Sequence, residues 1–303
     1  MLTEPADPVR ALVAAEAALP VARAFHAVAE AARARFAPVA RAILLYGSAL
    51  REGDHRGGLV DLFVLVEDGA AGAEGALLRR LGALLPPNVY HLGTRFEDGT
   101  IRAKVAVVGL ARLERLVEPT TLEPYFWARL AQPVRLLWAA DPDVAARVHA
   151  LLARAVRTLV EAVRPLLGPR PAPAELFERA FFETYRTELR AERPGRATSL
   201  VTADVARYEQ LARLCLAGRP PPSATELRTA TRLWGRRRRL GKLRSILRLA
   251  KAAFTFEGGA DYLVWKIERH SGERIELAPW QRRHPILAGL LLLPKLRRRG
   301  AVR

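Results

Sequence analysis

The sequence predicts an α/β fold through about residue 141 and a helical arrangement beyond it, on three observations. Residues 40 to 47 and 59 to 66 are apolar, β-branched runs closed by Gly or by Glu-Asp, the pattern of neighbouring buried strands. VYHLGTRFEDGTIRAKVAVVGL, from Val89 to Leu110, reads as a hairpin turning at Glu97-Asp98-Gly99. From Asp143 onward the apolar spacing becomes that of helices.

In chain order, the Ala-rich stretch from 8 to 36 has helical periodicity and predicts one or two capping helices. The two strands follow, then a helix over 75 to 85, the hairpin, helical segments at 110 to 118 and 121 to 131, and a strand in VRLLWA (Val134 to Ala139). Asp143 to Leu167 reads as one helix and GPRPAP as a linker, with further helices at 174 to 192 and 202 to 216. AGRPPPSA, from Ala217 to Ala224, is the clearest boundary, because prolines interrupt helix and strand alike. Beyond it come the arginine run Arg236 to Arg239, a basic amphipathic helix in LRSILRLAKAA (Leu243 to Ala253) and a Leu-rich tail. The chain thus divides into 1–141, 142–222 and 223–303, with no internal repeat.

The 303 residues suffice for two domains with a substantial core, and half are apolar at a mean hydropathy near zero, as in a soluble folded protein. The single Cys215 excludes an intramolecular disulfide and a cysteine-based metal cluster, and predicts a reducing compartment. Within LARLCLAG it reads as a core residue. Six scattered histidines, among them His270 and His284, lack the spacing of a zinc site. The longest uncharged apolar run, Ile286 to Leu293, is too short to span a membrane and sits between Pro285 and Pro294. The opening MLTEPADP resembles neither a secretory signal nor a transit peptide.

Of the formal charge of +18, the residues from Arg232 to the end carry +14. Such a basic end implies an anionic partner, a nucleic acid or an acidic membrane surface. Only five of the 49 basic residues are lysines, and Lys104 is the sole lysine before Lys242.

The stretch ILLYGSALREGDHRGGLVDLFVLV, Ile43 to Val66, runs strand, Gly-Ser turn, polar loop, strand with one Asp. That is the outline of a polymerase-β-type nucleotidyltransferase core. A tight Gly-Ser turn brings backbone N–H groups and a hydroxyl close to a triphosphate, and Asp61 would bind the Mg²⁺ bridging its oxygens. Two-metal transfer calls for a second carboxylate two residues on, roughly 6.6–7 Å away on the same face. That position is Phe63, and Glu67 lies about 20 Å along the strand at 3.3 Å per residue, too far to replace it.

The same segments resemble the mitochondrial-type CDP-diacylglycerol synthases, the phosphatidate cytidylyltransferases of the translocator-maintenance family. Their first motif is similar to YGSG, followed by a strand with Asp and Val and then Val-Asp-Asp. Here these are Tyr46-Gly47-Ser48-Ala49, Val60-Asp61-Leu62-Phe63-Val64 and Val66-Glu67-Asp68. The family pattern itself lacks the second Asp, so Phe63 conforms to it. Its lysine-bearing strand resembles RAKVAVVG, at Lys104, and its LYIAGRLQKPV-like segment resembles PYFWARLAQPV, at Tyr125, Arg129, Leu130, Pro133 and Val134. Its LSYSGDFRM-like helix resembles ETYRTELRA, at Tyr185 and Arg190, with Glu188 in the Asp position. GKLRSILRLAKAAFTFEGGADYLVWKIERH looks like the family's basic segment ending in KGIFTAG. The likeness spans about residues 40 to 270; Ala49, Ala128 and Thr187 stand where the family has glycine.

The resemblance implies transfer from CTP to phosphatidate, giving CDP-diacylglycerol and pyrophosphate with Mg²⁺. It implies catalytic roles for Asp61, Lys104, Arg129, Glu188 and Arg190, nucleotide binding by Tyr46, Gly47, Ser48 and Tyr185, and metal binding by Asp61. The expected partners are CTP, phosphatidate and an anionic membrane surface, with the protein peripheral at the inner face of the cell membrane. In LRSILRLAKAA, Leu243, Ile246, Leu247 and Ala250 share one face opposite Arg244, Arg248 and Lys251, an interfacial pattern. Nucleic acid ranks behind the membrane, since the tail lacks the aromatic pattern of an RNA-recognition module. Two alternatives stand: a nucleotidyltransferase with another acceptor, and a non-catalytic homologue that only binds nucleotide or membrane.

Overall fold

The computed structural model describes residues 7–54, 58–69, 82, 84–97, 99–169, 171–188, 195–255, 278 and 280. The expected helix at 75 to 85 lies almost wholly outside them, as do His270, His284 and the Leu-rich tail.

The first helix, α1 (Pro8–Ala17), starts where the Asp7 carboxylate accepts the Val9 and Arg10 N–H groups at 3.0 Å, with Pro8 supplying a preset φ. It is followed by α2 (Arg23–Arg35), β1 (Ala40–Tyr46), the short α3 (Ser48–Glu52), β2 (Val60–Val66), and the hairpin β3 (Asn88–Phe96) and β4 (Gly99–Gly109). Next come α4 (Leu110–Leu116), α5 (Tyr125–Leu130) and β5 (Arg135–Ala139). The helical part comprises α6 (Pro142–Val163), α7 (Pro173–Tyr185), α8 (Arg196–Thr202), α9 (Val205–Leu216) and α10 (Ala224–Thr255).

The five strands form one mixed sheet in the order β3-β4-β2-β1-β5. β2 and β4 run parallel and the other pairs antiparallel, so the fold is mixed α/β. Being central, β2 is covered on both faces, as its nearly unbroken apolar run requires. Alternation sorts its side chains between two cores. Leu62 and Val64 join Ile43, Leu45, Val105 and Val107 beneath Phe25 and Val28 of α2. Phe63 and Leu65 join Leu44, Tyr46, Ala106 and Val108 on the opposite face, in a larger core with α1, α4, α5, α6, α7 and α9. Burying each such aliphatic or aromatic side chain is worth about 1.5–3 kcal/mol. Cys215 is buried in this core as expected, and burial pushes its thiol up to about 11.

Several helices end elsewhere than the apolar periodicity predicts. α6 stops at Val163 and tightens into a 3₁₀ turn over Arg164–Leu166, because Pro165 has no N–H to continue the ladder. α7 stops at Tyr185 rather than running to 192: the Thr184 and Thr187 hydroxyls bond the Phe181 and Thr184 carbonyls at 2.8 and 2.6 Å, and the last backbone bonds shorten to three-residue spacing. The helix expected over 202 to 216 starts instead at Val205, where Asp204 accepts the Arg207 N–H at 3.4 Å and caps α9, and α8, which precedes it, was not expected.

The largest departure is α10. The basic helix expected at 243 to 253 is the end of one 32-residue helix. It opens with a reciprocal cap: Ser223 N–H donates to Glu226 at 2.7 Å and Glu226 N–H to the Ser223 hydroxyl at 3.2 Å. Its inward face carries charge as well as Trp234, which is fully buried with its indole N–H on the Ala162 carbonyl at 2.8 Å. Arg237 donates to the Pro119 carbonyl at 3.1 Å and lies between the Trp127 and Trp234 rings, and Arg238 donates to Glu183 at 3.0 Å. Arg248 donates to the Pro86 carbonyl at 2.9 Å and pairs with Glu123; Lys251 donates to the Pro87 carbonyl at 2.9 Å and to Asn88 at 3.0 Å. The basic stripe of α10 thus faces the protein from Arg237 to Lys251, while Leu243, Ile246 and Leu247 are 52, 53 and 42% exposed.

Candidate functional site

The end of β1 and the start of β2 meet where Tyr46 pairs with Asp61. The chain leaves β1 through Gly47 at φ 89°, and a Cβ there would sit 2.7 Å from an Asp61 carboxylate oxygen. Only glycine satisfies both the backbone and the space. Ser48 then opens α3, so the turn passes directly over the Asp61 carboxylate.

On its other side Asp61 pairs with Lys104 of β4, and Lys104 Nζ lies 3.7 Å from Asp61 Oδ1. Both side chains keep access to solvent, being 34 and 25% exposed. The next pair outward is Lys104 with His91 of β3. Directly opposed residues share a face, so Tyr46, Asp61, Lys104 and His91 form a row across four strands. Burial first, then Lys104, pushes the His91 imidazole down to about 4, leaving it neutral near pH 7.

Phe63, two residues beyond Asp61, is fully buried. It stacks on Tyr46 at 4.5 Å between centroids and leans on Phe126 at 6.2 Å. The place a second carboxylate would take is core. The stack holds the Tyr46 phenol in the interior, where its oxygen is buried without a hydrogen-bond partner among the described residues. Burial, with help from the Asp61 charge, pushes that phenol well above its ordinary value, so it stays a donor.

Close enough to Tyr46 for their charges to act on it are Arg129 of α5 and Glu188, just past α7. Arg129 grips Glu188 with two bonds of 2.8 and 3.1 Å, donates to the Tyr125 carbonyl at 3.1 Å and lies 3.7 Å over the Tyr125 ring. Burial opposes its charge, and Tyr125 and Glu188 outweigh burial, so the guanidinium stays charged. Glu188 is therefore committed to Arg129. Tyr185 stacks on Phe181 at 6.4 Å and packs against the main core. Arg190 lies outside the described residues.

α10 closes one side. Gly241 packs so tightly that a Cβ would lie 2.5 Å from the Thr187 carbonyl oxygen, next to Glu188. Glu123, Tyr125, Glu188, Arg244, Ser245 and Arg248 line a small crevice there. Sequence reasoning missed His91, because strand pairing puts it beside Lys104. It also missed Arg51, which bonds Gln132 at 3.1 Å behind the Gly-Ser turn. Asp68, at the end of the Val66-Glu67-Asp68 motif, accepts the Ala111 and Arg112 N–H groups at 3.0 Å and caps α4, away from the row.

Among the described residues no three His, Cys, Asp or Glu side chains converge into a ready-made cation cage. A lone carboxylate still suits Mg²⁺, which takes one or two protein carboxylates and completes its octahedron with water and phosphate oxygens. No family model matches the chain, and no curated protein matches it.

Proposed function

We propose that the chain is a nucleotidyltransferase with a polymerase-β-like core, transferring a cytidylyl group from CTP to phosphatidate. The observation that carries this reading is the carboxylate of Asp61, with the Gly47-Ser48 turn closed over it on one side and Lys104 beside it on the other. Asp61 would hold Mg²⁺, which would neutralise phosphate oxygens and orient the chain of phosphates when bound. The turn presents backbone N–H groups and the Ser48 hydroxyl, and Lys104 offers a compact charge for the same anion. Arg129 supplies a fixed cation where Phe63 leaves no second carboxylate, and Glu188 is the positioning residue that holds it.

In the reaction a phosphate oxygen of phosphatidate bonds to the α-phosphorus of CTP. The α–β anhydride bond breaks and pyrophosphate leaves with its electron pair. The attacking phosphomonoester is already anionic near neutral pH, so no general base is needed, and positioning with charge neutralisation lowers the barrier. A lipid acceptor is favoured over others by the outward face of α10, where exposed Arg232, Arg236, Arg239 and Lys242 are followed by Leu243, Ile246 and Leu247. No helix among the described residues is long and apolar enough to cross a membrane, and the reading is of peripheral attachment to an anionic one.

Purified protein given labelled CTP, Mg²⁺ and phosphatidate in vesicles is expected to form CDP-diacylglycerol and pyrophosphate. Transfer to a nucleic acid end or a soluble metabolite instead would replace the acceptor. Nucleotide binding without any transfer would leave a binding protein.

A further inference from the structure

We propose that Arg244 and Ser245 of α10 form the phosphate site of the acceptor, binding the headgroup of a lipid phosphomonoester in the crevice beside Arg129. This rests on the reading of a phosphate-bearing lipid acceptor and gives that acceptor residues of its own, apart from the nucleotide row.

Arg244 is the loosely held cation of a closely packed corner. Its Nη1 is buried and makes no hydrogen bond among the described residues. Glu123 Oε2 lies 3.9 Å from it, beyond hydrogen-bond reach. Glu123 is already engaged by Arg248, and Glu188 by the two bonds from Arg129. Three guanidinium groups thus meet two carboxylates, which leaves the crevice one positive charge in surplus. A buried cationic N–H without a hydrogen bond is costly, and a bound anion removes that cost. Arg248, one turn further on, is not equivalent, because its Nε donates to the Pro86 carbonyl at 2.9 Å.

The crevice measures about 10 Å³, the room of one water-sized atom. A whole phosphate does not fit, but one of its oxygens does, where Arg244 and Ser245 line the wall. The rest of the group stays at the mouth, since the Arg244 side chain is 35% exposed. Tyr125 and Glu188, which both hold Arg129, line the same crevice. A phosphate bound there stands next to the cation whose charge acts on Tyr46, the strand partner of Asp61. The tail has its place on the same turns of the helix, along the exposed Leu243, Ile246 and Leu247. A monoester suits such a site because it brings close to two charges and three terminal oxygens, so one oxygen anchors while another attacks. A diester headgroup has one charge and gives up one of those oxygens.

The test measures binding of dihexanoyl phosphatidate, dihexanoyl phosphatidylglycerol, inorganic phosphate and Mg²⁺–CTP to the full chain by calorimetry. Wild type should bind the phosphatidate more tightly than the phosphatidylglycerol. Arg244→Gln should weaken phosphatidate binding about tenfold, as for one lost hydrogen bond to a charged group, and leave Mg²⁺–CTP binding unchanged. Ser245→Ala, which keeps the helix, should weaken it about threefold, as for a neutral hydrogen bond. Wild-type affinity in Arg244→Gln, or an equal loss for phosphatidylglycerol or for Mg²⁺–CTP, overturns the site. Inorganic phosphate bound as tightly as phosphatidate overturns the lipid assignment in favour of a free phosphate. If Mg²⁺–CTP binds and phosphatidate does not, the acceptor site falls and the nucleotide reading stands. If phosphatidate binds as expected and no transfer from CTP occurs, the transferase reading falls and the site stands.

Discussion

At the scale of single residues, Gly47 and Phe63 explain why one carboxylate stands alone. Gly47 leaves no room for a Cβ against the Asp61 carboxylate, so no other residue fits there, and Phe63 is locked between Tyr46 and Phe126. Asp61→Ala should abolish metal-dependent transfer while thermal unfolding stays near wild type, since the side chain is partly exposed. Phe63→Asp should give no gain in turnover and should lower stability by roughly 3–5 kcal/mol, the cost of losing a buried ring and burying a charge. A large gain in turnover would mean a decayed two-carboxylate enzyme. His91 gives the pH prediction. Its folded value near 4 lies below the ordinary 6.5, so between those values the unfolded chain binds more protons. Its contribution is complete above about 6.5 and is lost as pH falls toward 4. Urea midpoints at pH 7 and pH 5 should therefore differ less in His91→Asn than in wild type.

At the scale of elements, the strands were the most legible part, because apolar runs closed by Gly or Glu-Asp declare themselves. The neighbouring β1 and β2 and the β3–β4 hairpin were legible, but not that β2 lies parallel to β4 across a long connection, the pairing that brings Lys104, and through it His91, beside Asp61. The hydroxyl-tightened end of α7 escaped apolar counting, so Glu188 fell off its helix into the turn where it meets Arg129. For α10 the Ser223–Glu226 cap stands in SATE, but the prolines before it end regular structure and the arginines after it blur the apolar period that would mark a long helix. Two glycines within α10 make a paired test. Gly235 faces open space, so Gly235→Ala should stabilise by about 0.5–1 kcal/mol through helix propensity. Gly241→Ala makes the same propensity gain but collides with the Thr187 backbone, and should be destabilising by about 1–2 kcal/mol net. Melting temperatures moving the same way in both variants would contradict the close seating of α10 on α7.

At the scale of the whole molecule, the excess charge is spent in two ways. Arg237, Arg238, Arg248 and Lys251 hold α10 to the protein, while Arg232, Arg236, Arg239 and Lys242 face outward ahead of an exposed apolar patch. Replacing Leu243, Ile246 and Leu247 together by Ser should leave the fold intact and abolish sedimentation with phosphatidate-containing vesicles. Wild-type binding should weaken as salt rises, since exposed charges are screened over about 8 Å at physiological ionic strength. Equal sedimentation with neutral vesicles, or tight salt-sensitive binding to RNA in its place, would redirect the partner. The same helix also carries a means of watching itself. Of the five tryptophans, Trp127 and Trp234 are wholly buried with the Arg237 cation between their rings. Any lifting of α10 must pull Trp234 out of that sandwich into water, shifting its emission to longer wavelength. The native chain thus reports in its own fluorescence, without a label, whether its longest helix is seated.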